Sequence, residues 1–191
     1  MKKSFILFIL VSFSIFAERI VDTDKLEYNQ KTQLYHYGNE KEPFTGIEKA
    51  YYEDKSLKYE LPYKNGKFDG KAIEYYPSGK IESESFYVNG KLNGKSIEYY
   101  KNGNLKSDGN YKDGKRDGLT KTYFEDGTIR SEIYYKNGEL DGLAKEYYGN
   151  GQVFIQENYK NGELDGESLN FYKDGKLKGR ELYKNGKLIK N

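Results

Sequence analysis

Apolar and polar residues alternate along most of this chain, in short runs that polar turn residues separate. In residues 96–105, for example, Tyr99 and Tyr100 end one run, and Asn102-Gly103 follows before Leu105 begins the next. Alternation with a period of two is typical of a β-strand that has one covered face. Asn-Gly or Asp-Gly between two such runs is a strong signal for a tight β-hairpin. The pattern predicts antiparallel strands joined by short turns.

The pattern repeats every 24 residues, and glycine marks three fixed positions of each unit. The first series is Gly46, Gly70, Gly94, Gly118, Gly142 and Gly166. The second is Gly79, Gly103, Gly127, Gly151 and Gly175, with Lys55 in its place in the first unit. The third is Gly66, Gly90, Gly114, Gly138, Gly162 and Gly186. Because the second and third glycines mostly follow Asn or Asp, we expect two strands in each of six units.

We call the turn at the second glycine series the first turn and the turn at the third series the second turn. If each contains two residues, the pairing of the strands is set. The first turn then pairs Tyr52 with Leu57, Tyr76 with Ile81, Tyr100 with Leu105, Phe124 with Ile129, Tyr148 with Val153 and Tyr172 with Leu177. The second pairs Tyr63 with Phe68, Tyr87 with Leu92, Tyr111 with Arg116, Tyr135 with Leu140, Tyr159 with Leu164 and Tyr183 with Leu188. Alternation places these side chains on one face, with the unit-start glycines and the small residues Ala72, Ser96, Thr120, Ala144 and Ser168. We expect this face to be a buried aromatic layer.

The opposite face is predicted to be charged and solvated, but one aromatic residue of each unit must also point to it. These residues are Tyr51, Tyr75, Tyr99, Tyr123, Tyr147 and Phe171. With two strands per unit, they form a ladder of rings about 10 Å apart. The rings either cover the sheet and shield its hydrogen bonds, or they form a contact surface for a binding partner.

The motif of residues 99–105 and 111–118, Tyr-Tyr-x-Asn-Gly-x-Leu followed by Tyr-x-Asn/Asp-Gly-x-x-x-Gly, resembles the bacterial variant of the MORN repeat (membrane occupation and recognition nexus). The resemblance implies an all-β fold, an elongated, single-layer, twisted antiparallel meander of β-hairpins. It covers six repeats in residues 44–191, and residues 18–43 look like a degenerate N-terminal capping repeat. Arrays of this kind serve as interaction scaffolds with protein or lipid partners, and bacterial relatives are often labelled antitoxins.

The first residues have the three parts of a signal peptide: Lys2-Lys3, an apolar run over residues 4–16, and Ala17. We expect cleavage after Ala17, and export to the periplasm, the cell surface or the medium. Cleavage removes two of the 32 basic residues and leaves 30, equal to the 30 acidic residues. A nucleic-acid-binding chain would carry a basic excess, so this class is not favoured.

The sequence offers little catalytic chemistry, so we expect no enzyme, cofactor or metal. His36 is the single histidine, and the chain has no cysteine for a thiol site. One acid per unit recurs before the unit glycine, but a calcium ion needs six to eight oxygens at one point, so we interpret these acids as turn residues. They are Asp69, Asp117, Asp141 and Asp165.

The expected function is that of an exported scaffold that binds a protein partner, at the bacterial envelope or on a host cell. Two alternatives stay open: glycan or peptidoglycan binding by stacked tyrosines, and peripheral membrane binding. The lack of a basic patch argues against anionic membranes. Uncovered edges of the sheet would also allow self-association between copies.

Overall fold

The computed structural model describes residues 19–190, so the predicted signal peptide of residues 1–17 lies outside the described residues. Within them, sixteen strands form one long sheet and two strands form a second sheet. Neighbouring strands of the long sheet are antiparallel and follow one another in chain order, apart from the parallel first pair. The elongated all-β meander predicted from the sequence is therefore confirmed.

The strands are numbered in chain order. The long sheet contains β1 (Ile20–Asp22), β4 (Gly46–Tyr51), β5 (Leu57–Lys64), β6 (Lys67–Phe68), β7 (Gly70–Tyr75), β8 (Ile81–Val88), β9 (Lys91–Tyr99), β10 (Leu105–Lys112), β11 (Lys115–Arg116), β12 (Gly118–Tyr123), β13 (Ile129–Lys136), β14 (Glu139–Tyr147), β15 (Val153–Lys160), β16 (Glu163–Phe171), β17 (Leu177–Lys184) and β18 (Lys187–Lys190). The second sheet pairs β2 (Leu26–Asn29) with β3 (Leu34–Tyr37), and a 3₁₀ turn at Thr23–Lys25 precedes it.

The second turn of each unit has the predicted geometry. Asn89 and Gly90 both have positive φ, +50° and +83°, as a two-residue type I′ turn requires. Tyr87 therefore lies opposite Leu92 in the sheet, as predicted. The same pairing holds in the other units, at Tyr63 with Phe68, Tyr111 with Arg116, Tyr135 with Leu140, Tyr159 with Leu164 and Tyr183 with Leu188.

The first turn is one residue longer than predicted, and its predicted strand pairs are wrong. Of residues 101–103 only Gly103 has positive φ, +97°, and its N–H donates to the carbonyl of Tyr100 at 2.8 Å. This is a three-residue loop that ends in a left-handed glycine. Two adjacent aromatic residues, such as Tyr99 and Tyr100, precede each first turn, and we call them the doublet. The aliphatic residue after the turn consequently lies opposite the first residue of the doublet: Tyr51 with Leu57, Tyr75 with Ile81, Tyr99 with Leu105, Tyr123 with Ile129, Tyr147 with Val153 and Phe171 with Leu177.

Alternation along the strands defines two faces of the sheet. Face A carries the tyrosines of the second turn: Tyr63, Tyr87, Tyr111, Tyr135, Tyr159 and Tyr183. Face B carries the predicted ladder: Tyr51, Tyr75, Tyr99, Tyr123, Tyr147 and Phe171. Side-chain contacts agree with this division, since the Tyr63 hydroxyl donates to Glu48 of face A and the Tyr75 hydroxyl to Glu60 of face B.

Hydrogen bonds from the second aromatic residue of the doublet join each unit to the next. The Tyr100 hydroxyl donates to the backbone carbonyl of Tyr123 in the following unit at 2.8 Å. Tyr52, Tyr76 and Tyr148 make the same bond, at 2.7, 2.7 and 2.9 Å. Phe124 holds this position in one unit and has no hydroxyl. The row therefore has a structural role that the predicted register did not reveal.

The recurring aspartates join the units at the other end of the strands. Asp69 Oδ2 accepts the backbone N–H of Asn89, 20 residues later, at 3.0 Å. Asp117, Asp141 and Asp165 accept the equivalent N–H at 3.2, 3.2 and 3.3 Å. This geometry supports their interpretation as turn residues.

The predicted aromatic layer on face A is buried only at its N-terminal end, and the prediction is wrong for the rest. Phe44 and Tyr63 are 1% and 4% exposed, because Tyr35 of β3 packs against the Tyr63 ring at 5.1 Å between centroids. Further along, the tyrosines of this row are half-buried, because no second layer covers a single sheet there. The small residues Ala72, Thr120 and Ser168 are buried between their larger neighbours.

Four of the six unit-start glycines lie against side chains of face B; these are Gly70, Gly94, Gly142 and Gly166. Gly142 has φ of +118°, and a Cβ added there would lie 3.1 Å from the Cβ of Tyr134. At Gly94, with φ of +120°, the added atom would lie 3.5 Å from the Cβ of Phe86. The strand register shifts beside these glycines, which turns the backbone away from regular alternation.

Candidate functional site

The ladder residues end their strands on face B, but the structure buries most of them in part. Tyr51 is 51% exposed, and the other five rings are half-buried. In the corrected register each ring, the exposed Tyr51 included, has an aliphatic residue directly opposite in the next strand, about 5 Å away. The ladder is therefore a mixed row of rings and aliphatic side chains.

Carboxylates on face B hold two of the ladder hydroxyls in place. The Tyr147 hydroxyl donates to Glu132 Oε2 at 2.8 Å, and the Tyr75 hydroxyl donates to Glu60 Oε2 at 3.3 Å. Each carboxylate also pairs with a lysine, Glu132 with Lys121 at 2.8 Å and Glu60 with Lys49. The same Lys–Glu–Tyr arrangement thus occurs twice, three units apart.

These contacts shift the ionisation of the groups involved. The hydrogen bonds from Lys121 and Tyr147 lower the pKa of Glu132. Burial, and then the hydrogen bond to Glu132, raises the pKa of Tyr147 to about 12. Burial also raises the pKa of Tyr75. At neutral pH this part of face B therefore presents neutral tyrosines beside paired charges.

Further ion pairs lie on face B between these two Lys–Glu–Tyr arrangements. Lys71 pairs with Glu84 at 2.9 Å, and Lys95 pairs with Asp108 at 3.1 Å. The positive and negative charges therefore alternate from strand to strand, without a single-sign patch in this row. The predicted charged character of face B is confirmed.

Two exposed aromatic residues on face B were missed from the sequence. Phe86 and Tyr134 are 42% and 46% exposed, and they lie two units apart at the same position of the repeat. Each directly precedes a tyrosine of face A, so strict alternation along the strand would have placed it on the opposite face. Alternation along the strand is therefore the signal that identifies them.

A shallow cavity lies beside Tyr134. Its volume is about 190 Å³, and Leu119 and Leu143 line it together with Tyr134, while Glu132 and Lys145 form its charged border. The cavity adjoins Tyr147 through the Glu132 hydrogen bond. An apolar floor with a charged border can receive an apolar side chain and hydrogen-bond its surroundings.

The single histidine lies in the N-terminal segment, away from the ladder. His36 Nδ1 lies 3.3 Å from the carbonyl oxygen of Glu40 in the N-terminal segment. Residues 19–190 contain no group of three or more His, Cys, Asp or Glu side chains placed to hold a metal ion. No helix within those residues is long and apolar enough to cross a membrane.

Comparison with known proteins gives the family. No curated protein is similar enough to this chain to count as a match. The pattern of the family described as "MORN repeat variant" matches six times, at residues 44–65, 68–89, 92–113, 116–137, 140–161 and 164–188. Proteins of this family are generally non-enzymatic repeat scaffolds. Since the six matches keep the frame of the 24-residue repeat and cover well over half of the sequence, the chain belongs to the MORN repeat variant family.

Proposed function

We propose that this protein is an exported, non-enzymatic scaffold that binds a protein partner through face B, at the bacterial envelope or on a host cell. The observation that carries the proposal is the pair of exposed rings, Phe86 and Tyr134, on a face where most other rings are half-buried. Two units, or four strands, separate them, which corresponds to about 19 Å along the sheet. They are anchors at a fixed spacing for an extended contact.

The surroundings of the two rings favour a protein partner over a membrane. Aromatic anchors bordered by charged residues are the usual composition of a protein interface. Anionic lipids would require clustered lysines without acidic partners. Lys71, directly opposite Phe86, pairs with Glu84, and Lys121 pairs with Glu132, so the lysines beside the two rings have acidic partners. The lysines of face B that lack such partners in the described part of the chain, such as Lys112 and Lys115, lie at the second-turn end of the strands.

The half-buried ladder supports the anchors. Tyr147 and its carboxylate partner Glu132 border the cavity beside Tyr134, and the cavity gives a partner side chain a place to insert. Tyr51, which is exposed, extends the same surface toward the first unit. The predicted ladder residues thus belong to the proposed contact surface, on which Tyr51, Tyr134 and Phe86 are the exposed rings.

The test is affinity capture from envelope and host-membrane extracts. It uses the intact protein and the double variant Phe86→Ser, Tyr134→Ser. The matched control is Phe154→Ser, because Phe154 is 40% exposed but packs against Tyr148 at the first-turn end of the strands. We expect a protease-sensitive species that the intact protein and the control retain and the double variant loses. Retention by all three chains would refute the proposed surface. Capture of vesicles or of protease-resistant glycan in place of protein would refute the proposed class of partner.

The export part of the proposal depends on residues 1–17 and has its own test. Mass spectrometry of the protein from its natural host would give the N-terminus directly. We expect a chain that begins at Glu18 in the envelope or secreted fraction. A chain that keeps Lys2 and Lys3 in the cytoplasmic fraction would refute export without affecting the contact surface.

A further inference from the structure

One position of the face A row breaks the repeat. The residue opposite the second-turn tyrosine is apolar in five units, at Phe68, Leu92, Leu140, Leu164 and Leu188. In the remaining unit it is Arg116, opposite Tyr111. The other units show that the fold needs only an apolar residue here. The fold therefore does not require an arginine at this position.

The guanidinium of Arg116 lies between two tyrosines. Its Nε donates to the Tyr111 hydroxyl at 3.2 Å, and its Nη1 donates to the Tyr135 hydroxyl at 3.4 Å. Its central carbon lies 5.3 Å from the centre of the Tyr135 ring. A guanidinium has five N–H donors, so three are left after these bonds. Because each hydroxyl accepts from Arg116, its own hydrogen is free to be donated to a ligand.

Arg116 also lacks a carboxylate partner. The chain has four arginines, Arg19, Arg116, Arg130 and Arg180. Arg19 pairs with Glu40, and Arg180 pairs with Glu167. Within residues 19–190 no carboxylate lies within ion-pair distance of Arg116, although a guanidinium held by fixed neighbours is the preferred donor for a carboxylate.

A second polar group without a partner lies next to this position. Thr120 lies on face A, opposite Gly109 of the neighbouring strand. Gly109 is two residues before Tyr111 in that strand. Thr120 is 6% exposed, and its hydroxyl has no hydrogen-bond partner among the described residues. It leans toward Gly109, where an added Cβ would lie 3.1 Å from Thr120 Oγ1. A buried hydroxyl without a partner thus lies on the same face as Arg116, two residues along the strand from Tyr111.

We infer that Arg116, Tyr111 and Tyr135 form a binding site for one carboxylate, the side chain of Asp or Glu in an extended peptide segment that crosses face A. The guanidinium supplies a single positive charge, because the neighbouring Lys112 and Lys115 alternate to face B. One charge matches a carboxylate better than a doubly charged phosphate. An extended peptide suits the site because the tyrosine row continues along face A on both sides of Arg116. These tyrosines are half-buried, so each leaves part of its ring open to contact with the peptide.

The test uses the intact protein labelled with ¹⁵N-arginine and a capped peptide, acetyl-Thr-Glu-Thr-amide. The four arginine Nε–H signals are few enough to follow separately, and Arg116→Leu assigns the one of interest. That variant keeps the fold because leucine holds the same position in four other units. We expect the peptide to shift the Arg116 signal saturably and Arg116→Leu to weaken binding at least about tenfold, since a charge-assisted hydrogen bond is lost.

The controls decide between a site and general attraction. Arg130 is the matched residue, because it also lies near an aromatic ring, at 6.0 Å from that of Phe124, and has no carboxylate partner in residues 19–190. Its signal should stay unchanged, and acetyl-Thr-Gln-Thr-amide should not bind. Equal binding of the glutamine peptide, an equal shift at Arg130, unchanged affinity of Arg116→Leu, or tighter binding of inorganic phosphate would each overturn the inference. The site lies on the face opposite Phe86 and Tyr134, so its failure leaves the proposed contact surface intact.

Discussion

Tyr100→Phe is the most direct probe of how consecutive units hold together. The substitution removes one hydroxyl and keeps the ring, so it deletes the 2.8 Å hydrogen bond to the carbonyl of Tyr123 without opening a cavity. A hydrogen bond of this kind contributes about 1 kcal/mol net. With a urea dependence of about 2 kcal/mol per molar, the unfolding midpoint should fall by about 0.5 M.

The protein supplies its own reciprocal variant. Phe124 occupies the position of Tyr100 in the next unit, and the repeat places the carbonyl of Tyr147 where a hydroxyl at residue 124 would meet it. Phe124→Tyr should therefore raise the midpoint by a similar amount. Urea unfolding followed by circular dichroism measures both. The reasoning fails if Tyr100→Phe leaves the midpoint unchanged, or if Phe124→Tyr lowers it.

Two further predictions concern the backbone of the units and the charges of face B. Gly142→Ala should destabilise the fold by about 1–3 kcal/mol, because φ there is positive and the added Cβ would lie too close to the Cβ of Tyr134. Gly149→Ala, where an added Cβ meets nothing within 4 Å, should change stability by less than about 0.5 kcal/mol in the same urea assay. The raised pKa of Tyr147 favours its neutral form in the folded state, so its contribution is complete below the ordinary value of 10.0 and is lost as the pH rises toward about 12. Glu132→Gln should lower this pKa part of the way toward 10.0, because burial is the larger cause and remains. An NMR titration of ¹³Cζ-labelled tyrosine would measure it, and an unchanged value would contradict a contribution from the Glu132 hydrogen bond.

The sequence predicted the fold class and one of the two turns correctly, and it misled on the other for a physical reason. Asn89-Gly90 and Asn102-Gly103 are the same dipeptide, yet only the first has positive φ at both residues. The information was in another unit, where Pro77 stands in the first turn. In a two-residue turn at Ser78-Gly79, Pro77 would have to donate a backbone N–H to Lys80, and proline has none. Its φ near −65° suits the second position of a type I turn, which the longer loop provides. Comparison of the units would have given the longer loop.

The candidate sites were predictable only in part. Alternation correctly placed the ladder on face B. The exposure of each ring, however, also depends on the residue opposite it in the next strand. The one-residue error in the first turn assigned the wrong residue to that position. Phe86 and Tyr134 follow from alternation alone. Arg116 was visible in the sequence as the polar exception of its row, but its position between Tyr111 and Tyr135 comes from contacts between different strands.

The bonds from Tyr100 to Tyr123 and from Asn89 to Asp69 reach only the neighbouring unit, and this has a consequence for how such a protein changes its size. Removal or duplication of 24 residues within the array brings the residue equivalent to Tyr100 next to an equivalent carbonyl, and the bond re-forms wherever that residue is tyrosine. The length of the sheet can therefore vary in steps of about 10 Å, two strand spacings, with no repacking of the units that remain. The number of units therefore sets the length of face A and face B.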